Sequence, residues 1–126
     1  MKVEQSLGDV VDRVTILDIK LARLEAPDQR ANVRVEREAL VAAWGAEGLP
    51  PMADLADWAA LAAVNLALWE VEDQLRDLER ASDFGPVFVA AARSVYRLND
   101  RRAALKRAIN LDLGSRIVEE KSYRPY

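Results

Sequence analysis

An apolar repeat in the middle of the chain limits the fold more than any other feature of the sequence. Its spacing alternates between three and four residues, which places every repeat side chain along one stripe of an α-helix. A helix with such a stripe needs neighbouring helices to bury it. The repeat therefore predicts an all-α fold. Its members are Leu61, Val64, Leu68, Val71, Leu75 and Leu78.

Turn and capping signals divide the rest of the chain into three further helices. Ser6 is a candidate N-cap of the first helix, with Asp9 as its reciprocal partner, and Asp54 is a candidate N-cap of the third. Proline and glycine residues end the segments. We predict one domain over residues 1–126, a four-helix up-and-down-like bundle followed by a short C-terminal helix or tail at 115–126. The predicted helices cover about 7–26, 28–44, 54–80 and 86–111.

The first helix is apolar on two sides. Its main stripe contains Val10, Val14 and Leu17, whereas Ile16 and Ile19 point elsewhere. A helix of this kind is expected between two neighbours.

Composition narrows the available chemistry. The 126 residues contain no histidine and no cysteine, and the net charge is −3. Histidine acid–base chemistry, thiolate nucleophiles and the usual transition-metal ligands are thus excluded. A hard cation such as magnesium is the candidate cofactor.

The net negative charge of the chain makes nucleic acid an improbable partner. With neither a signal peptide nor a membrane span in the sequence, we predict no membrane association and a cytoplasmic location.

Polar residues follow the edge of the apolar face on helix four. Because a helix advances 100° per residue, Tyr96, Asn99, Lys106 and Asn110 share one narrow band. Arg102 falls within the apolar face itself. Half-buried polar groups of this kind need partners.

Similar edges occur on two other helices. Helix three places Asn65, Glu72 and Trp69 beside its repeat, and helix one carries Arg13 and Lys20 on one line. Two interpretations remain open. In one, the edges line a cleft that binds an anionic small molecule such as a nucleotide, nucleotide sugar or sugar phosphate. In the other, the same residues pair with one another and the asparagines bond to neighbouring backbone.

In the first interpretation each residue type has a role. Arg102 and Lys106 would hold the charge, Asn99 and Asn110 would orient the ligand, and Tyr96 would pack on it. The remaining predicted binding residues are Asn65, Trp69, Arg13 and Lys20. Glu72 is the candidate general base, since a position beside the apolar repeat would desolvate its carboxylate.

Two other functional classes fit the sequence. The C-terminal "EEKSYRPY" and the aromatic residues would let an interaction module bind a partner protein or a second copy of the chain. Alternatively, "DVVD" and "EVED" resemble the paired acidic motifs that hold magnesium in all-α nucleotide pyrophosphohydrolases. That enzyme requires the two acidic pairs to converge on one metal.

Several longer segments resemble successive blocks of one known family. They are "SLGDVVDRVTILDIKLARL", "VNLALWEVEDQLR" and "ARSVYRLNDRRAALKRAIN". On these segments the chain is similar to a small bacterial family, domain of unknown function six-one-six-five. The resemblance implies no particular activity, although members sometimes occur beside genes for surface-polysaccharide or glycosyl-transfer enzymes. It does imply that most of the polar-edge residues belong to family motifs.

Overall fold

The computed structural model describes residues 1–126 and contains only helices. The predicted all-α class is confirmed. A single 3₁₀ turn, Met52–Asp54, lies in the longest connection. The four α-helices are α1 (Leu7–Arg23), α2 (Pro27–Ala46), α3 (Trp58–Arg80) and α4 (Pro86–Asp112).

The four helices are not equivalent in their packing, as they would be in a closed four-helix bundle. α1 contacts α2, α3 and α4, whereas α2 packs chiefly on α1. α3 and α4 form a long hairpin on the other side of α1. α1 thus lies between α2 and the α3–α4 hairpin, as the sequence predicted.

Two predicted boundaries change by three residues or more. α1 ends at Arg23 because Leu24 takes an extended conformation three residues before Pro27. α3 begins only at Trp58, since residues 52–54 form the 3₁₀ turn, and Asp54 does not cap it. Beyond α4 the chain from Ser115 is a tail without helix.

The start of α1 is capped from both ends of the sequence. Ser6 Oγ accepts the Asp9 N–H at 3.1 Å, which confirms Ser6 as the N-cap. Asn110 Oδ1 accepts the Gly8 N–H at 2.6 Å, and Ser115 Oγ accepts the Leu7 N–H at 3.1 Å. These bonds satisfy amides that a helix cannot pair internally.

The main apolar core lies at one end of the molecule, which we call the base. It is built from Val11, Val14, Trp44, Met52, Leu61 and Ile109. The Trp44 Nε1–H donates to the Pro50 carbonyl at 2.7 Å, which ties α2 to the following loop. No residue between 62 and 104 belongs to this core cluster or to the apolar residues packed against it. The far half of the α3–α4 hairpin therefore lies outside it.

Candidate functional site

A buried carboxylate joins three helices above the core. Asp12 on α1 is 5% exposed and accepts two bonds from the Arg102 guanidinium on α4, Nε to Oδ1 at 2.8 Å and Nη2 to Oδ2 at 2.6 Å. Asn65 on α3 donates to Asp12 Oδ1 and to Thr15 Oγ1, each at 2.8 Å. We call these four residues the Asp12 clamp. A buried charge requires partners of this quality, because an unpaired one is costly.

The clamp fixes Arg102 while leaving part of it free. The pKa of Arg102 is raised, mainly by its hydrogen bonds to Asp12, so the guanidinium is always charged. Its Nη1 donates to no group within the chain, and 30% of the side chain is exposed. Arg102 therefore presents an oriented donor edge to whatever lies beside it.

Arg102 is one of the residues that line a groove of about 420 Å³ between α1, α3 and α4. Its apolar lining consists of Ile16 and Ile19 on α1 and of Leu68 and the half-buried Trp69 on α3. The other lining residues are polar. These polar lining residues are Asn65, Glu72, Asp73, Arg76, Asn99 and Arg102. Five residues predicted from sequence, namely Asn65, Trp69, Glu72, Asn99 and Arg102, thus meet at one groove.

The predicted cations Lys106 and Arg13 lie in a second hollow, which also borders Arg102. Lys106, 15% exposed, pairs with Asp9 at 2.8 Å and with Glu119 at 3.2 Å. Burial alone would lower the pKa of Lys106, but the bond to Asp9 and the surrounding carboxylates raise it. Arg13 makes two 2.8 Å bonds to Glu36 on α2, so both cations already have carboxylate partners.

Three predicted binding residues lie elsewhere. Asn110 is 1% exposed and caps α1 by accepting the Gly8 N–H, as expected from the interpretation in which the asparagines bond to neighbouring backbone. Tyr96 packs its ring against Tyr126 of the tail at 4.9 Å between centroids. Lys20 lies near Glu36 and lines neither hollow.

The acidic pairs do not converge. Glu70 bonds to Arg23 at the end of α1, while Asp12 lies eleven positions earlier, roughly 16 Å along the helix axis. No group of three acidic side chains in the chain is arranged to hold a metal ion. Glu72 is exposed, so it lacks the desolvation expected of a buried general base.

The sequence reasoning overlooked the central residue of the clamp. Asp12 points away from the main stripe of α1, and in the sequence it was considered only as part of the "DVVD" motif. It lies, however, on the same side as Ile16 and Ile19, the second apolar side of this helix. That side faces α3 and α4, so a carboxylate on it had to be buried and paired.

The sequence was also compared with models of known protein families. One family model matches residues 1–125, nearly the whole chain. The chain belongs to the family of unknown function (DUF6165). This membership confirms the resemblance found in the sequence. No curated protein and no solved structure matches this DUF6165 chain significantly. None of its helices has the length and apolar character needed to cross a bilayer.

Proposed function

We propose that this protein binds a small anionic molecule in the groove between α1, α3 and α4. The observation that carries the proposal is the fixed Arg102 guanidinium, whose Nη1 has no partner in the chain, in a groove that apolar side chains also line. A fixed guanidinium suits phosphate or carboxylate, and preorganisation lowers the entropic cost of binding. The groove volume of about 420 Å³ falls within the range of small-molecule sites.

The remaining lining residues narrow the ligand class. Arg76 is a second cation at the rim that makes no ion pair. The Asn65 side chain is already bonded within the Asp12 clamp, whereas the Asn99 side chain makes no hydrogen bond within the chain and can orient a polar group. The carboxylates of Glu72 and Asp73 would repel a second anionic group but would accept hydrogen bonds from hydroxyl groups of the ligand. Trp69 offers an apolar face to a ring. A sugar phosphate, nucleotide or nucleotide sugar combines these features.

The role of Lys106 changes in this proposal. Its ammonium is paired twice and lies in the second hollow, so Arg102 and Arg76 take over contact with the anion. Lys106 instead holds Asp9 and the tail. Catalysis by Glu72, a cytoplasmic location and an accessory role in surface-polysaccharide or glycosyl-transfer pathways stay predictions.

A thermal-shift screen tests the proposal. The panel contains sugar phosphates, nucleotides, nucleotide sugars and inorganic phosphate, each with and without magnesium. A ligand at about 100 times its Kd stabilises the fold by about 2.7 kcal/mol, several degrees for a domain of this size. Asn99→Ala should weaken the shift of a hit, whereas Asn32→Ala, an exposed asparagine on α2, should leave it unchanged.

Two results would reject the groove as the binding site. One is a panel without any shift at ligand concentrations up to the millimolar range. The other is a hit that Asn99→Ala and Arg102→Lys leave untouched. A shift that requires magnesium would instead direct attention to a metal–phosphate complex as the bound species.

A further inference from the structure

The tip of the α3–α4 hairpin, residues 75–92, carries an uncovered apolar groove. It has a volume of about 550 Å³ and is lined by Leu75, Phe88 and Ala92, with charged residues at its rim. Phe84, 53% exposed, packs edge-to-face on Phe88 at 5.2 Å and extends the apolar surface. Ala91 is the only buried residue of the tip. Two helices alone cannot bury their stripes, so such a surface needs a further layer.

Nearer the base, α1 supplies that layer. Its residues Ile16 and Ile19 line the ligand groove together with Arg76, and Arg76 also borders the tip groove. The two grooves therefore lie on the same side of the hairpin. α1 ends at Arg23, which bonds to Glu70, whereas α3 continues to Arg80, roughly 15 Å further. The tip groove thus lies where this side of the hairpin has no covering helix.

The total surface leaves room for a partner of substantial size. A globular monomer of 14.1 kDa should expose about 6,700 Å². This chain exposes 8428 Å², an excess of roughly 1,700 Å². Part of the excess belongs to the exposed ends, residues 1–5 and 121–126. A standard dimer interface removes only about 800 Å² from each subunit.

The rim charges indicate which partner fits. The charged residues that line the groove are Arg76, Glu79 and Arg80, so its rim carries both signs of charge. In a two-fold contact the same patch meets itself, and acidic residues of one copy face basic residues of the other. We propose that the tip groove is the interface between two copies of this chain, whose hairpin tips pack into a shared four-helix layer. The proposal uses none of the arguments made for a ligand in the other groove, although Arg76 borders both grooves.

Sedimentation equilibrium of the full chain over the micromolar range tests the interface. We expect a dimer for the unaltered protein. Phe84→Asp should raise the dimer Kd by at least about tenfold, because it places a charge on the apolar surface that would be buried between the two copies. Glu79→Arg should also weaken the dimer by leaving only positive charge at the rim. The double change Arg76→Glu with Glu79→Arg should restore it by restoring complementary charge.

The control variant is Val35→Asp on α2, which puts the same charge on a 68% exposed valine far from the hairpin. It should leave the dimer intact. Thermal melts of each variant separate dissociation from unfolding, and Glu79 is an exposed residue whose replacement spares the fold. A monomer at all concentrations overturns the proposal and favours a different protein as the partner. A dimer that only Val35→Asp dissociates overturns it as well.

Discussion

The base and the hairpin tip are built from the same two helices but are held together differently. At the base, α3 and α4 meet α1, and the core there contains the fully buried Leu61 and Val11. At the tip the two helices have only each other, and Leu75 is half-buried. Leucines of the same apolar repeat are thus buried to different extents. The number of neighbours, and not the apolar repeat, decides how much each residue stabilises the fold.

The largest expected difference between the regions comes from truncating one leucine in each. Leu61→Ala should lower the free energy of unfolding by about 4 kcal/mol, because it opens a cavity in the core. Leu75→Ala should cost about 1 kcal/mol in the monomer, since water already reaches that side chain. Urea unfolding measures both, at concentrations low enough to exclude dimer. Equal losses would mean that the tip is as tightly packed as the base.

The second-largest difference should come from removing one arginine charge at each of two positions and comparing the loss of stability. Arg102→Met leaves the buried Asp12 carboxylate without its guanidinium and should cost about 3 kcal/mol. Arg76→Met removes an arginine that makes no ion pair and should change stability by less than about 0.5 kcal/mol. Chemical denaturation of the two variants at neutral pH gives the comparison. If Arg102→Met were as mild as Arg76→Met, the clamp would not stabilise the base.

Two glycines provide a steric test of the close packing at the base. A methyl group on Gly8 would overlap the Lys106 carbonyl oxygen and lie 3.0 Å from Asn110 Oδ1. Gly8→Ala should therefore cost about 2 kcal/mol, since neither group can move freely. Gly45→Ala on α2 meets nothing within 4 Å and should be neutral or stabilise by about 0.5 kcal/mol. A harmless Gly8→Ala in thermal melts would show that α1 and α4 can separate at low cost.

The smallest expected effect concerns the tail along α4. Lys121 and Lys106 lower the pKa of Glu119 by hydrogen bonding and charge. A carboxyl with a lowered folded-state pKa adds stability above its unfolded value of 4.5, and that stability is lost as pH falls through the folded value. Glu119→Gln should thus cost about 0.5 kcal/mol at pH 7. Below the folded-state pKa the variant and the parent should unfold alike. A difference that persists at pH 2 would contradict this.

Sequence periodicity was sufficient to predict the fold class, the four helices and the position of α1 between two partners. It could not predict how far α1 extends along the hairpin, because that depends on the extended conformation of Leu24, which ends the helix.

The candidate site was predicted in part. Asn65, Asn99 and Arg102 meet at the groove as expected. Lys106 and Asn110 have partners on α1, about a hundred residues away in the sequence, and Lys106 has another in the tail. The periodicity of a single helix does not specify such partners.

The capping of α1 has a consequence for the order in which the nascent chain folds. Leu7 and Gly8 lie at the start of the sequence, yet their amides are bonded by Ser115 and Asn110. The N-terminal end of α1 is therefore capped only after α4 and Ser115 have been synthesised, about a hundred residues later. Until then α1 can pack on α2 and α3, but the Leu7 and Gly8 amides lack their bonds to Ser115 and Asn110, so the close contact between α1 and α4 forms late.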